Sequence, residues 1–206
     1  MRILTGLVCV LSIQLSVAQK ELSNTFDATG IEELIIDSDA IFKIKLTTTT
    51  RPQIKIRTGI EGETFESALL LSEQKNKQLI LTTGRSPEYI HYDDKLAAHK
   101  VMSVELTIEV PEELAITIVS ELASVRAEGH YGLLNWSLRD GDVRLFRFRG
   151  SGMIKTVTGL VLVESAESQI AAQSRNGHVA GRIVTPEFAD LQIQSIDGDI
   201  LVTQSP

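Results

Sequence analysis

The chain has 206 residues with 20 basic and 27 acidic side chains, which gives a formal net charge of −7 at pH 7. This acidic balance argues against a nucleic acid partner, because a domain that binds the phosphate backbone normally presents net positive potential. Hydrophobic residues make up 43% of the chain and aromatic residues only 5%, so we expect one domain with an aliphatic core.

The first 18 residues have the pattern of a secretory signal peptide. Arg2 supplies the positive start, residues 3–15 are mostly apolar, and residues 16–18 are small, as a signal peptidase requires before Gln19. The apolar run is too short to span a membrane, and no later segment holds about twenty continuous apolar residues. We therefore expect export to the periplasm, the outer surface or the medium, with no transmembrane segment in the mature chain.

The single cysteine, Cys9, lies inside this leader. A lipoprotein signal requires a small residue directly before the cysteine, and Val8 stands there instead. We expect cleavage after Ala18 rather than acylation of Cys9. The mature chain then has no disulfide, so its core must hold it together.

Before Pro111 the chain alternates apolar and polar residues, which is typical of half-buried strands. Such alternation occurs at 42–46, where Lys43 and Lys45 would point outward, at 54–57 and at 102–110. We expect an antiparallel layer of strands over residues 19–111.

Leucine-rich runs at 69–71 and 79–81 flank a short polar stretch and predict a hairpin. A change of pattern at Pro111 marks a soft boundary. The region 112–206 follows as a set of strand-turn repeats, and we expect it to share one continuous core with residues 19–111.

The segment 84–100 concentrates side chains that often form sites, in a stretch where a loop or short helix is expected. His91, Asp93 and His99 could ligate a metal, although an ordinary polar surface loop is the favoured interpretation. No His-x-Glu or Glu-x-x-His pattern supports a zinc enzyme. The candidates for ligand contact in this segment are Tyr89, His91 and Tyr92.

From residue 120 onward the chain repeats one phrase six times: a small polar or turn residue in most copies, two variable residues, Gly or a small residue, one variable residue, then Val or Ile. Gly tolerates positive φ, and Ser, Asn and Asp bond their own backbone, so the phrase is typical of a tight turn that leads into a strand. The closing residues, separated by 18, 18, 9, 9 and 21 positions, are Val125, Val143, Val161, Ile170, Val179 and Ile200.

This spacing favours a coil of stacked strands, because nine residues make about one strand plus one turn and eighteen make about two. We expect all six closing Val and Ile side chains to be buried and several of them to stack in columns. An antiparallel β-sandwich with regular hairpins would also fit the period and is the alternative.

Two Asp-Gly-Asp triplets, at 140–142 and 197–199, could offer carboxylates to Ca²⁺ in stacked turns. A calcium-binding β-roll needs a denser Gly-Gly-x-Gly-x-Asp pattern in consecutive coils. Ordinary turn chemistry is therefore the favoured interpretation, and we expect no cofactor.

Four arginines at 139, 144, 147 and 149 concentrate positive charge around Phe146 and Phe148. Such a strip could bind an anionic glycan or lipid head group, and Arg144, Arg147 and Arg149 are the candidate contacts. The competing interpretation is that these charges protect a strand edge. Because the parity of alternation changes between Leu145 and Phe146, we expect a bulge there.

Catalysis finds little support in the sequence. The mature chain has no cysteine and no Gly-x-Ser-x-Gly elbow. A polysaccharide-cleaving β-helix is the enzymatic alternative, since such folds place carboxylates along an exposed strand face. Its candidates would be Asp140, Asp142, Asp197 and Asp199.

An exported chain with an early strand at 41–46, a long strand that closes with Val110-Pro111, and repeated Ser-x-x-Gly-x-Val phrases resembles the bacterial auto-transporter adhesin families of head GIN and DUF4097 type. The resemblance implies a right-handed β-helix-like or β-roll fold on an exported protein of Bacteroidetes-type bacteria, with a role in adhesion and no catalytic residues. Ala123 and Ser168 depart from the pattern by replacing the turn glycine. The implied function is a non-catalytic cell-surface adhesin or an envelope structural or binding module whose partner is a glycan or an envelope component; a periplasmic ligand-binding module is the other alternative.

Overall fold

A computed structural model describes residues 20–61, 68–85, 103–165 and 167–205. The all-β prediction is confirmed, since the one other regular element in these residues is a short 3-10 turn at Pro186–Phe188. The leader and the candidates Tyr89, His91 and Tyr92 lie outside the described residues. The strands are β1 (Lys20–Asp27), β2 (Glu33–Asp37), β3 (Ile41–Thr49), β4 (Gln53–Glu61), β5 (Ala68–Lys75), β6 (Gln78–Arg85), β7 (Ser103–Pro111), β8 (Ala115–Ser120), β9 (Ser124–Leu138), β10 (Val143–Thr156), β11 (Val161–Ser165), β12 (Ile170–Ser174), β13 (Val179–Gly181), β14 (Leu191–Ser195) and β15 (Ile200–Gln204).

The strands form two rows around one hydrophobic core. The front row has the order β1-β4-β7-β3-β9-β10-β11-β15-β13. The back row has the order β5-β6-β2-β8-β9-β10-β14-β12. The long strands β9 and β10 belong to both rows, because the first half of each pairs in the front row and the second half in the back row.

Each rung of the coil is a back strand, a short turn and a front strand. In this way β2 leads to β3, β8 to the first half of β9, and the second half of β9 to the first half of β10. Neighbouring rungs pair in parallel. Over residues 115–204 the chain is therefore the predicted coil with two strands per rung, and not the antiparallel sandwich.

Most of the repeated Val and Ile residues are buried and stack as predicted, but Val179 is only half-buried, because it lies on the last strand of the row. Val125, Val143, Val161, Ile200 and Val179 are partners in register on adjacent front strands and form one column. Ile170 lies in the back row beside Leu191. The nine-residue steps arise because the chain passes from front to back and returns between positions 161 and 179.

We expect Val161→Ala to destabilise the protein by about 1–1.5 kcal/mol, from the methyl groups lost and a partial cavity. Val161 is fully buried, with Val143 on one side and Ile200 on the other. The matched control is Val179→Ala, at the end of the same column, where the side chain is half-buried and a smaller loss is expected. Urea unfolding of the two variants would contradict the column if the losses were equal.

The turn glycines are required by close stacking as well as by backbone conformation. Gly159 has φ +90°, in the left-handed region. Gly198 has no such φ, but a Cβ there would lie 2.1 Å from the carbonyl oxygen of Gly159 in the neighbouring turn. The turns are thus packed so tightly that even a methyl group has no room.

The serine that opens the phrase caps its own turn. The Oγ of Ser195 accepts a bond from the N–H of Gly198 at 2.9 Å, and Ser174 does the same for Gly177 at 3.0 Å. Ser165 and Ser168 form the same contact at 3.0 Å on the opposite edge of the coil, where the chain passes from front to back. Ser168 replaces the turn glycine at that edge.

The carboxylates of the Asp-Gly-Asp turns link neighbouring turns. Asp142 accepts a bond from the N–H of Leu160 at 3.0 Å, and Asp140 accepts one from the Oγ of Thr158 at 2.8 Å. The N–H of His178 donates to Asp199 at 2.7 Å, and this bond holds the pKa of that carboxyl below its usual value. Among the described residues, no three His, Cys, Asp or Glu side chains form a group that could hold a metal ion.

The strands before Pro111 are mixed rather than uniformly antiparallel. The predicted hairpin is confirmed as β5 and β6, which are joined by Asn76 and Lys77 with φ of 50° and 65°. β1 with β4 and β4 with β7 are also antiparallel. β2 and β3 instead pair in parallel with their neighbours, because the turn at 38–40 carries the chain from the back row to the front row as the later turns do.

The order of the rungs departs from chain order at both ends. The last rung, β14 with β15, lies between the β10–β11 rung and the β12–β13 rung. At the other end, β2 and β3 lie inside β6 and β7. The segment that closes the C-terminal end of the coil is therefore residues 170–181, and the final strands are inserted beneath it.

Candidate ligand-binding face

The outer side of the front row carries four basic residues in one line across its strands. Arg57 and Lys45 are both register partners of Thr107, on either side of β7. Lys45 is the partner of Arg126, and Arg126 is the partner of Arg144. We call Arg57, Lys45, Arg126 and Arg144 the cationic band.

The alternation of side chains along the strands directs the central residues of the band toward solvent. Ile44 and Leu46 flank Lys45 in β3 and are buried, as are Val125 and Ala127 around Arg126. Because side chains alternate between the two faces of a strand, Lys45 and Arg126 point outward. Both side chains are exposed.

Aromatic contact holds one member of the band in place. The guanidinium carbon of Arg126 lies 3.9 Å from the ring centroid of Phe146 on the neighbouring strand. A cation over an aromatic face is attracted by the ring, and a planar guanidinium stacks well there. The donor groups of Arg126 are thus held over the sheet with less conformational freedom than a free arginine.

Carboxylates lie beside the band rather than in it. Arg144 is paired with Asp142 at 2.7 Å, and Arg57 with Glu109 at 3.3 Å. Within the described residues, no carboxylate oxygen lies within 4.0 Å of the charged group of Lys45 or Arg126. The centre of the band therefore carries net positive charge on an acidic protein.

The arginines that sequence alone grouped together do not converge. Arg144 lies in the band, whereas Arg147, with φ of 44°, lies at the bend of β10 and pairs with Glu128. Arg149 pairs with Glu167 on the edge of the coil, and Arg139 lies 3.6 Å from Glu121 in a turn. Each of these arginines forms an ion pair with a different carboxylate.

The expected bulge in β10 is present, although it acts on the two phenylalanines differently. The register of β10 shifts between Leu145 and Phe148 against β11, and between Phe146 and Arg149 against β9. Phe148 enters the core, with 1% of its surface exposed. Phe146 remains half-buried on the outer face under Arg126.

The sequence predicts that Lys45 points outward but does not predict that Lys45 lies beside Arg126. The two residues lie far apart in the chain, and only the parallel pairing of β3 with β9 brings them together. The alternation of residues 42–46 and 124–127 was the available signal. The register between those strands could not be deduced from it.

A concavity of about 580 Å³ lies where the chain passes from front to back, and carboxylates line part of it. Glu167 there pairs with Arg149, and Asp190 accepts a bond from the N–H of Gln169 at 2.7 Å. These two carboxylates therefore stabilise the fold, and the third carboxylate of the concavity, that of Glu113, is exposed. The candidate catalytic aspartates, at 140, 142, 197 and 199, lie in the turns along the other edge of the coil, where the chain passes from back to front.

The comparisons with known proteins support the fold. The chain is similar to the crystal structure of a "putative cell adhesion protein" from Clostridium sporogenes, with a TM-score of 0.62 at 17% identity, over 91% of this chain and 100% of that one. At this identity the likeness establishes a shared fold and no more. A "putative adhesin" from Bacteroides fragilis, at 11% identity over 92% of this chain and 99% of that one, has a TM-score of 0.39, which is too low to establish even that.

The sequence matches no family model and no curated protein. The described residues also contain no helix with the length and apolarity that a membrane crossing requires.

Proposed function

We propose that this chain is an exported, non-catalytic adhesin or envelope binding module that holds its ligand on the outer side of the front row. The observation that carries the proposal is the cationic band, a line of basic residues on an open strand face, of which Lys45, Arg126 and Arg144 are exposed. A flat face with fixed charges suits the binding of an extended partner. It offers no enclosed volume in which to position a reacting bond.

Two further observations support the proposal. The chain shares its fold with a protein described as a putative cell adhesion protein, and its sequence resembles the head GIN and DUF4097-like adhesin families. The carboxylates that an enzyme would need are used instead to link one turn to the next.

Adhesion is tested with beads coated with residues 19–206, applied to surfaces of neutral polysaccharide, sulfated polysaccharide and whole bacteria. We expect retention under gentle flow on at least one surface, with no new reducing ends released from either polysaccharide over hours. Beads coated with the same protein after heat unfolding are the control. Shortening of a polymer, or equal retention of folded and unfolded protein on all surfaces, would overturn the proposal.

The route of export gives a separate prediction. When the chain is produced in a bacterium with its own leader, the recovered protein should begin at or near Gln19, because residues 16–18 satisfy the peptidase. Intact mass and N-terminal peptide sequencing read this directly. An acylated N-terminal Cys9 would contradict it.

A further inference from the structure

We propose that the cationic band binds a linear polysaccharide that carries sulfate or phosphate groups, laid across the strands of the front row. This inference rests on the proposed binding function and names its ligand class. The band is the one described surface feature in which charge, spacing and exposure all indicate the same kind of partner.

One line of residues on this face holds cations without carboxylates. The line that contains the band runs across nine strands through Ser23, Arg57, Thr107, Lys45, Arg126, Arg144, Leu162, Leu201 and Ala180. It holds four cations and no carboxylate, in a chain with a net charge of −7. The carboxylates of the same face lie two residues away along the strands, at Glu105, Glu109, Glu128, Asp142 and Glu164, in flanking lines that also hold Lys43 and Lys55.

The arrangement carries an energetic cost in the free protein. Lys45, Arg126 and Arg144 stand on three adjacent strands, which are about 4.8 Å apart. Like charges directly opposite one another destabilise a sheet. Asp142 already offsets the charge of Arg144, so an anion bound over Lys45 and Arg126 would relieve the remaining repulsion and add to the free energy of binding.

The spacing suits a polymer of repeated charges. Parallel strands in register place the three cations at regular intervals over about 10 Å. Arginine offers paired donors that match the oxygens of a sulfate or phosphate group. Because Arg126 is already held over Phe146, less side-chain freedom is lost when it binds.

The width of the band favours a single polymer chain over an anionic membrane. Glu128 follows Arg126 by two residues, and Glu105 and Glu109 flank Thr107 in the same way. The Cα atoms of these glutamates lie about 7 Å from the line along each strand, although the carboxylate of Glu109 reaches Arg57 at 3.3 Å. A broad anionic surface would have to approach both rows of carboxylates, whereas a polysaccharide one sugar wide fits between them.

The test uses dextran sulfate as the probe and uncharged dextran of the same length as its control. We expect wild-type protein to bind immobilised dextran sulfate at about 0.05 M salt, to weaken strongly by roughly 0.15 M as screening grows, and to ignore dextran. Lys45→Gln/Arg126→Gln should bind at least about tenfold more weakly. Unchanged circular dichroism and Trp136 fluorescence would show that the variant is folded.

Two charge-matched variants separate the band from general electrostatics. Lys155→Gln/Arg175→Gln removes two exposed cations from the back row and its turn and should keep nearly wild-type affinity. Arg147→Gln/Arg149→Gln removes the two corner arginines and should lose less than the band variant. Equal losses of affinity in the band, back-row and corner variants would overturn the proposal. If the corner variant alone lost as much affinity as the band variant, the site would instead be the arginine strip predicted from sequence.

Anionic lipid vesicles form the last arm. Binding to vesicles of phosphatidylglycerol that is stronger than binding to dextran sulfate, and that dextran sulfate does not displace, would also overturn the proposal. So would a failure of wild-type protein to bind dextran sulfate. If the coated beads still adhere to another surface in that case, the proposed adhesin function stands while its ligand class does not.

Discussion

A chain that ends after Asp190 should lose at least about 10 °C in thermal midpoint and all protection of residues 170–181 against hydrogen exchange. The deletion removes β14 and β15, which are inserted between two other rungs. β12 pairs only with β14, and β13 only with β15, among the described strands. Removing the last strands therefore leaves β12 and β13 without a partner and opens one edge of β10 and of β11.

The expected size follows from the side chains removed from the core. Leu191, Ile193, Ile200 and Val202 are buried, and each contributes about 1.5–3 kcal/mol of burial. Each kcal/mol of lost stability lowers the midpoint by about 2–4 °C in a domain of this size, so the expected shift corresponds to a net loss of about 3–5 kcal/mol.

A chain that ends after Gln204 is the matched control for this deletion. It keeps both strands and should unfold near the wild-type temperature. Slow exchange of amides at 170–174 in the shorter chain would contradict the inserted order of the rungs.

Trp136→Ala should cost about 3–5 kcal/mol of stability. Trp136 is the largest fully buried side chain of the described residues, with 1% of its surface exposed. It lies in the middle of the back row, where Ile118 and Ile154 are its partners on either side. Neighbouring strands hold the backbone in place, so the cavity left by alanine cannot collapse easily.

Trp136→Phe is the informative companion. The indole N–H of Trp136 has no hydrogen-bond partner among the described residues, and a buried donor without a partner carries a desolvation penalty of about 1–3 kcal/mol. Phenylalanine removes that donor while it fills much of the space, so we expect less than half the loss seen with alanine. Urea unfolding followed by circular dichroism measures both variants; equal losses would show that the indole N–H is satisfied in solution.

The stacked interior could be predicted from local sequence because its cause is local. Each phrase contains its own turn, which a serine caps in four of the six copies, and ends on a residue that faces the core. The reason for the glycines was only half predicted: Gly141 and Gly159 have the positive φ that turn chemistry suggests, whereas Gly177 and Gly198 are required by the carbonyl of an adjacent turn. A contact between two turns that are distant in the chain cannot be predicted from the sequence of either turn.

The order of the rungs and the cationic band depend on the same kind of distant contact. Val161, Val179 and Ile200 close similar phrases, and nothing in those phrases says that Ile200 lies between the other two. The register of β3 against β9 likewise decides that Lys45 meets Arg126. The sequence therefore suggested a ligand strip within residues 144–149, because arginines close in sequence are visible there and arginines close in space are not.

The eighteen-residue rung makes the length of this protein adjustable. Residues 143–160 run from one front-row column position to the next, and both ends of the coil are closed by segments that do not include them. A second copy of residues 143–160 placed after Asp142 would add one strand to each row and leave both closures intact. The front face would grow by about 4.8 Å and gain one more arginine in its line. Gene duplication in the middle of the chain could thus lengthen the contact surface without a new fold.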